Sequence, residues 1–342
     1  IITMANDASD TQVAELEEYG ARYINYSVSR TGLNPFSDIK TLLAFIKCFR
    51  LEAPDSVLSY TIKPVIWGSI ASSIFPRLNF FGMITGLGYA FGKGGALRWS
   101  VQFVVMRLYK FSLAKCKRVI FQNSDNKQEF VDRGLVSESK ADLVQGSGVN
   151  LEHFFHVQPN ITDGRVRFLM VARLLGDKGI REFLAAAKVV KTIYDNVDFV
   201  LVGPEDSSPD AVSLEEIMTF ERDGVISYKG SVADIRPFII DCSIFVLPSY
   251  HEGMPRTVLE AMAIGRPIIT TDVPGCRETV VNGINGWLVP KCSIDELSRK
   301  MMWFVNRPHK IRPMGKLSRD MVERRFDVRI INSHIIKIIT ES

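Results

Sequence analysis

The chain has 342 residues, enough for two domains, and its 46% hydrophobic and 23% charged content is that of a soluble globular protein. A formal net charge of +4 is too small to mark a nucleic-acid binder. The longest uncharged runs, between Lys63 and Arg77 and between Arg77 and Lys93, fall short of the roughly 20 apolar residues that cross a bilayer, and no secretory leader is read. Five scattered cysteines (Cys48, Cys116, Cys242, Cys276, Cys292), never in a CxxC pair, favour reduced thiols in a cytoplasmic setting and no zinc site.

The opening Ile1-Ile2-Thr3-Met4-Ala5 reads as the end of a strand, and a first strand with its loop is expected to be missing ahead of it. Strands and helices then alternate, the grammar of parallel α/β sheets. Strands are expected at Ala21 to Tyr26, Ser56 to Ser59, Asn79 to Thr85, Arg118 to Gln122 and Ala141 to Gln145. Helices are expected at Ile39 to Phe49, Pro64 to Phe75 (packed through small residues), Leu97 to Ala114 and Asp125 to Arg133. The turn-rich Gly146-Ser147-Gly148-Val149-Asn150 reads as a linker. After it the pattern restarts, with strands at Arg167 to Val171, Asp198 to Val202, Val225 to Tyr228, Ile244 to Leu247 and Pro267 to Thr270, and a helix at Ile180 to Tyr194. The expected architecture is two facing Rossmann-like domains, residues 1–150, with the C-terminal helix 325–342 as a candidate addition, and residues 151–324. Ligands of such sheets bind beyond the carboxyl ends of the strands.

The most informative segment is EGMPRTVLEAMAIGRPIITTDVPG, residues Glu252 to Gly275. A buried strand runs into a polar loop carrying Glu252 and Gly253, and Pro255 then opens a helix at a position where its missing N–H costs nothing. The first N–H groups of that helix carry partial positive charge and suit a diphosphate. Glu260, about a turn further in, can reach a pair of sugar hydroxyls. Arg173 follows the Arg167–Val171 strand and Lys178 comes five residues later, so both cations fall at the same sheet edge. Arginine offers a planar fork to phosphate oxygens and lysine a compact charge. Together with a helix N-terminus they would stabilise a departing diphosphate without a metal, and the chain has no Asp-x-Asp pair. Seen singly, each of these groups is an ordinary surface charge; their co-occurrence at the ends of one sheet is the signal.

The second half resembles the nucleotide-sugar domain of family-4 glycosyltransferases, enzymes of the two-Rossmann B-type fold that retain anomeric configuration. The resemblance rests on VARLLGDKG, FVLVGPE, YKGSVADI, DCSIFVLPSY and EGMPRTVLEAMAIGRPIITTDVPGCRETV. In the first half, SRTGLNPFSDIKTL, APDSVLSYTIKP and ITGLGYAF resemble the bacterial subgroup that adds hexosamine-type sugars to polyprenyl-diphosphate-linked glycans. The resemblance implies that Arg173 and Lys178 grip the diphosphate, Glu260 takes the ribose hydroxyls of a uridine nucleotide, and Glu252 contacts the donated sugar. It implies a cradle of backbone N–H groups over Gly253, Met254, Pro255, Arg256 and Thr257, a uracil-holding loop at Tyr228, Gly230 and Val232, and Gly203 and Glu205 lining the same pocket. The partners implied are a UDP-sugar donor and a lipid-linked acceptor, with no cofactor, metal or nucleic acid, at the cytoplasmic face of the membrane.

The first half carries weaker signals. Gly86-Leu87-Gly88-Tyr89-Ala90-Phe91-Gly92 is a poor dinucleotide fingerprint, since its third glycine arrives one residue late; Gly86 and Gly88 read better as a loop near the donor sugar. Lys63 and Arg30 are further residues expected to face a cleft. All five histidines lie at or after residue 153, so the first-domain histidine of many relatives is absent here. The stretch Leu97 to Arg118 mixes aromatic and basic residues, as a membrane-interface helix does, though a core-packed helix with a solvated basic face reads the same way. Two rivals stand beside the transferase: a nucleotide-sugar epimerase of the same fold and a non-catalytic UDP-sugar-binding module.

Overall fold

A computed structural model describes residues 1–5, 8–26, 35–86 and 96–342, with only the backbone described at residue 35 and residues 96–102. Arg30, Gly88 and most of the glycine loop lie outside the described residues. The chain forms two compact units: Ile1–Phe121 with Lys127–Asp142 and Ile338–Ser342, and Gln122–Asn126 with Leu143–Lys337.

In the first unit β1 (Ile2–Ala5) and β2 (Arg22–Asn25) pair in parallel around α1 (Asp10–Glu18). That helix went unread in the sequence, although Ser9 and Gln12 build a reciprocal cap at its start. After α2 (Pro35–Glu52) comes a four-stranded sheet in sequential order: β3 (Ser56–Tyr60), β4 (Asn79–Ile84), β5 (Arg118–Phe121) and β6 (Ala141–Leu143). Its crossovers are α3 (Ile62–Ser72), α4 (Ala96–Lys115) and α5 (Ser124–Asp132). The α3 helix buries Gly68, Ser69, Ala71 and Ser72, so small residues let it lie close to the sheet. On α4, Val105, Tyr109 and Leu113 are buried while Phe103, Val104 and Phe111 are exposed, so one helix carries a core face and an apolar outward face.

The second unit holds a six-stranded sheet in the order β12-β11-β10-β7-β8-β9. Its strands are β7 (Val166–Val171), β8 (Val197–Val202), β9 (Ser227–Tyr228), β10 (Ile244–Leu247), β11 (Ile268–Thr271) and β12 (Gly286–Val289), every adjacent pair parallel. The crossovers and outer helices are α6 (Ile180–Lys191), α7 (Leu214–Arg222), α8 (Arg236–Asp241), α9 (Arg256–Ile264), α10 (Ile294–Val305) and α11 (Ile311–Arg325), followed by α12 (Val328–Glu341). The expected strand at Val225 shortens to Ser227–Tyr228, because Val225 and Ile226 are spent in the core at the end of α7. Sequence order reverses between the neighbours β7 and β10. That reversal is the switch point at which ligands of open α/β sheets bind.

Among the described residues, one cation is fully buried in the core. Arg266 follows the left-handed Gly265 cap of α9 and is fully buried. Its guanidinium donates to the Ile239, Val157 and Ile240 carbonyls at 2.8, 2.6 and 2.9 Å. Ile239 and Ile240 lie in the last turn of α8, where helix carbonyls lack partners and carry partial negative charge.

Candidate active site

The switch point collects the predicted residues of the second unit. Leaving β7, the chain passes Arg173 and a short turn, Gly176–Lys178, before Gly179 opens α6. Leaving β10, it passes Glu252 and Gly253 and enters α9. Because β7 and β10 are hydrogen-bonded neighbours, these two loops face one another. Lys178 Nζ donates to Glu252 Oε1 at 2.7 Å, and both side chains are mostly buried. The sequence reading gave them separate duties, one on the diphosphate and one on the sugar; in the structure they form an ion pair.

Arg173 is not drawn into that pair. Its Nη1 donates to Asp206 Oδ2 at 2.7 Å while the side chain stays 57% exposed. Ser208 and Arg173 hold the Asp206 carboxyl below the usual carboxylate range, so the acid stays ionised beside the arginine. Asp206 was missed in the sequence, although it stands three residues beyond Gly203 in the loop that follows β8.

The helix entrance differs by one residue from expectation. Pro255 is the N-cap, with φ −73° and ψ 105°, and Arg256 is the first helical residue. The Pro255 carbonyl accepts from Val258 and Leu259, leaving the Arg256 and Thr257 N–H groups without intrahelical acceptors. No acidic residue occupies the first turn, and Arg256 adds a full positive charge to the positive end of the helix dipole. This is the reverse of what helix stability favours, and it suits an anion.

Glu260 lies on the same helix and is only 7% exposed. Arg256 approaches it at 3.7 Å. Burial raises its pKa, and the Arg256 charge partly offsets the rise. A carboxylate kept inside a helix whose other buried residues are apolar is an expensive choice unless a ligand uses it.

Between the exits of β7 and β8 lies a hollow of about 180 Å³, lined by Arg173, Gly203, Pro204, Val232, Ile235 and Thr257. Gly203 has φ 151°, and a Cβ there would sit 1.8 Å from the Ala172 carbonyl oxygen, so only glycine lets the two strand exits lie this close. The Gly203 N–H donates to the Gly230 carbonyl at 2.8 Å and Tyr228 Oη donates to the Gly203 carbonyl at 2.9 Å, which ties the Tyr228–Val232 loop to the hollow. Burial and the nearby Glu205 raise the Tyr228 pKa. Met254 and Pro255 are buried, and Glu205 is exposed.

Among the described residues, those predicted in the first unit, Lys63 and Gly86, form no comparable group. Lys63 pairs with Asp38 of α2 at 2.9 Å, and Gly86 follows the end of β4. Thr61, which precedes Lys63, holds a left-handed φ of 70° and makes no side-chain cap bond, a strained turn at the carboxyl end of β3.

Two parallel α/β units, with charged groups and a helix N-terminus at the switch point of the second, define the B-type glycosyltransferase fold. The chain belongs to the group 1 glycosyl transferases, whose family model matches residues 152–324. It is 33% identical over 303 residues, 85% of this chain and 78% of the relative, to the N,N'-diacetylbacillosaminyl-diphospho-undecaprenol alpha-1,3-N-acetylgalactosaminyltransferase of Campylobacter jejuni. It is 26% identical to the capsular polysaccharide biosynthesis glycosyltransferase CapM of Staphylococcus aureus, over 93% of this chain and 84% of that protein. Among solved structures, Anabaena HepE in complex with UDP and glucose superposes with a TM-score of 0.77 at 17% identity, covering 100% of this chain and 92% of that one. A glycosyltransferase from Rickettsia africae gives a TM-score of 0.76 at 18% identity, covering 99% and 89%.

Proposed function

We propose that this glycosyltransferase moves a sugar, an N-acetylated hexosamine, from a UDP donor to a polyprenyl-diphosphate-linked glycan with retention of configuration. The observation that carries the proposal is the Lys178–Glu252 pair beside the free N-terminus of α9. Lys178, Arg173, Arg256 and the helix N–H groups supply positive potential where a diphosphate gathers charge as the glycosidic bond breaks. Glu252 directs its second oxygen to a hydroxyl of the donated sugar, Glu260 takes the ribose, and the hollow under Gly203 takes the base. With no enzymic nucleophile assigned on the donor side, the acceptor hydroxyl attacks from the face the diphosphate leaves, and a departing oxygen takes its proton. The lipid-linked acceptor of the Campylobacter relative, named in its activity, supports the choice of acceptor. Incubation with a panel of nucleotide sugars and a lipid-linked acceptor tests the reading; release of UDP only when both are present is the expected result, and donor isomerisation alone would overturn it.

Contact with the inner face of the membrane belongs to the same proposal. Phe103 and Phe111 of α4 are exposed, with the Arg107 and Lys115 charges 5.0 and 5.6 Å from their ring centroids. Aromatic rings and cations on one outward face match an anionic lipid interface. No helix among the described residues is long and apolar enough to cross a membrane.

Glu260→Gln tests the nucleotide half. Hydrogen bonds to a charged acceptor contribute about 1.5–3 kcal/mol, so UDP affinity by calorimetry should fall about tenfold to a hundredfold; an unchanged affinity removes Glu260 from the ribose. The same variant should gain stability at pH 7.5. The folded-state pKa of Glu260 is raised, so the native protein holds its proton more tightly than the unfolded chain does. Stability therefore declines as pH climbs through the carboxylate range, and the glutamine gain should vanish in acid. Activity is further expected to survive a chelator, since the charge on the leaving diphosphate is met by side chains and backbone; loss of turnover that added divalent metal restores would overturn this.

A further inference from the structure

Asn123 has no place in the reaction as described, yet it is tied to the centre of the site. It lies just beyond β5 in the pentapeptide Gln122–Asn126, which belongs to the second unit. Its side chain is fully buried. Oδ1 accepts the Asn126 N–H at 2.8 Å, which caps α5. Nδ2 donates to the Gly253 carbonyl at 2.5 Å, across 130 residues of sequence. A carbonyl and the N–H of the next residue share one rigid plane and point in opposite directions. Drawing the Gly253 oxygen toward Asn123 therefore turns the Met254 N–H away from it. That N–H has no acceptor among the described residues, and it stands next to the unpaired N–H groups of Arg256 and Thr257.

The same peptide is confined from two other directions. Gly275, at φ 77°, approaches so closely that a Cβ there would lie 2.4 Å from the Gly253 oxygen. Gly146 packs onto the Met254 side chain, where a Cβ would lie 2.4 Å from Cγ. Of the three contacts, only the amide of Asn123 is a directional hydrogen bond, and so only it sets the rotation of the peptide plane.

We propose that Asn123 is a positioning residue for the donor loop: its amide fixes the Gly253–Met254 peptide so that the Met254 N–H joins the diphosphate cradle and Glu252 stays opposite Lys178. This rests on the donor reading above. The chemistry explains the residue type. Aspartate has no donor for the carbonyl and sets an anion against it, glutamine is a methylene too long, and a buried amide is tolerated because both of its ends are satisfied.

Asn123→Asp retains an oxygen able to cap α5 and, ionised, has no donor for Gly253; Asn123→Ser can still cap α5, but its hydroxyl, one atom shorter than the amide, falls short of Gly253; Asn123→Ala loses both bonds. Amide exchange read by mass spectrometry over residues 249–258 tests the clamp without reference to activity. Exchange there should accelerate about tenfold in all three variants, with segments in α6 and α10 unchanged. UDP affinity should fall about tenfold in each, the scale of one lost hydrogen bond. If the serine and aspartate variants match the wild type in both measurements while alanine alone is impaired, Asn123 is a helix cap only and the proposal is overturned. Accelerated exchange in a protein that binds no UDP even as wild type would sustain the clamp and sink the donor reading instead. A serine variant too unstable to purify still leaves aspartate, the near-isosteric change, to decide.

Discussion

Lys178→Ala should lower kcat by about a hundredfold to a thousandfold, the range found when one preorganised donor to a developing negative charge is removed, while donor affinity changes much less. The asymmetry follows from when the charge appears. A diphosphate esterified to a sugar is less charged at its bridging oxygen than the diphosphate that leaves, so a lysine aimed there is worth most at the transition state. The variant also strands Glu252, whose carboxylate is largely buried against Lys178, and some of the loss will come from that. The double variant Lys178→Met with Glu252→Gln separates the two: if restoring neutrality restores turnover, the lysine served only to neutralise its partner. Equal losses in kcat and affinity for Lys178→Ala would likewise remove it from the leaving group.

Arg266→Ala should lower the stability of the second unit by about 3–5 kcal/mol, since a large buried side chain is removed and three carbonyls, one buried and two part-buried, lose a charged donor. The urea midpoint of unfolding reads this directly. Arg266→Met, which keeps most of the volume and none of the donors, should recover only the packing share of the loss. A shift of a few tenths of a kcal/mol in either variant would mean that water reaches those carbonyls and that the guanidinium is not the fastener it looks to be. The residue stands one position beyond the αL cap of α9, so its failure should loosen the helix that carries Glu260 as well.

The second-unit site was legible because its residues are local in sequence and each is announced by a strand end. Arg173, Lys178, Glu252 and Glu260 all follow hydrophobic runs that cannot be anything but buried strands or the helix next to one. Their partners were not legible in the same way. Nothing near Glu252 says that Lys178, 74 residues earlier, ends 2.7 Å away; that comes from the register of β7 against β10. Asn123 reads locally only as the cap of α5; its bond to a carbonyl 130 residues on leaves no local signal. Among the elements, the amphipathic α7, α10 and α11 went unread because attention to strand ends passes over helices that only cover a sheet. The capped α1 was overlooked for want of any buried residue.

Lys178 and Glu252 hang from adjoining strands whose helices, by right-handed connection in opposite directions, depart to opposite faces of the sheet. Their separation is therefore gauged by one interstrand spacing, about 4.8 Å and among the least elastic lengths a protein offers. Bases, sugars and acceptors can be exchanged by rewriting the flanking loops while that gauge holds still. A catalyst built this way would diversify its carbohydrate products without having to reinvent the step that severs them from their carrier.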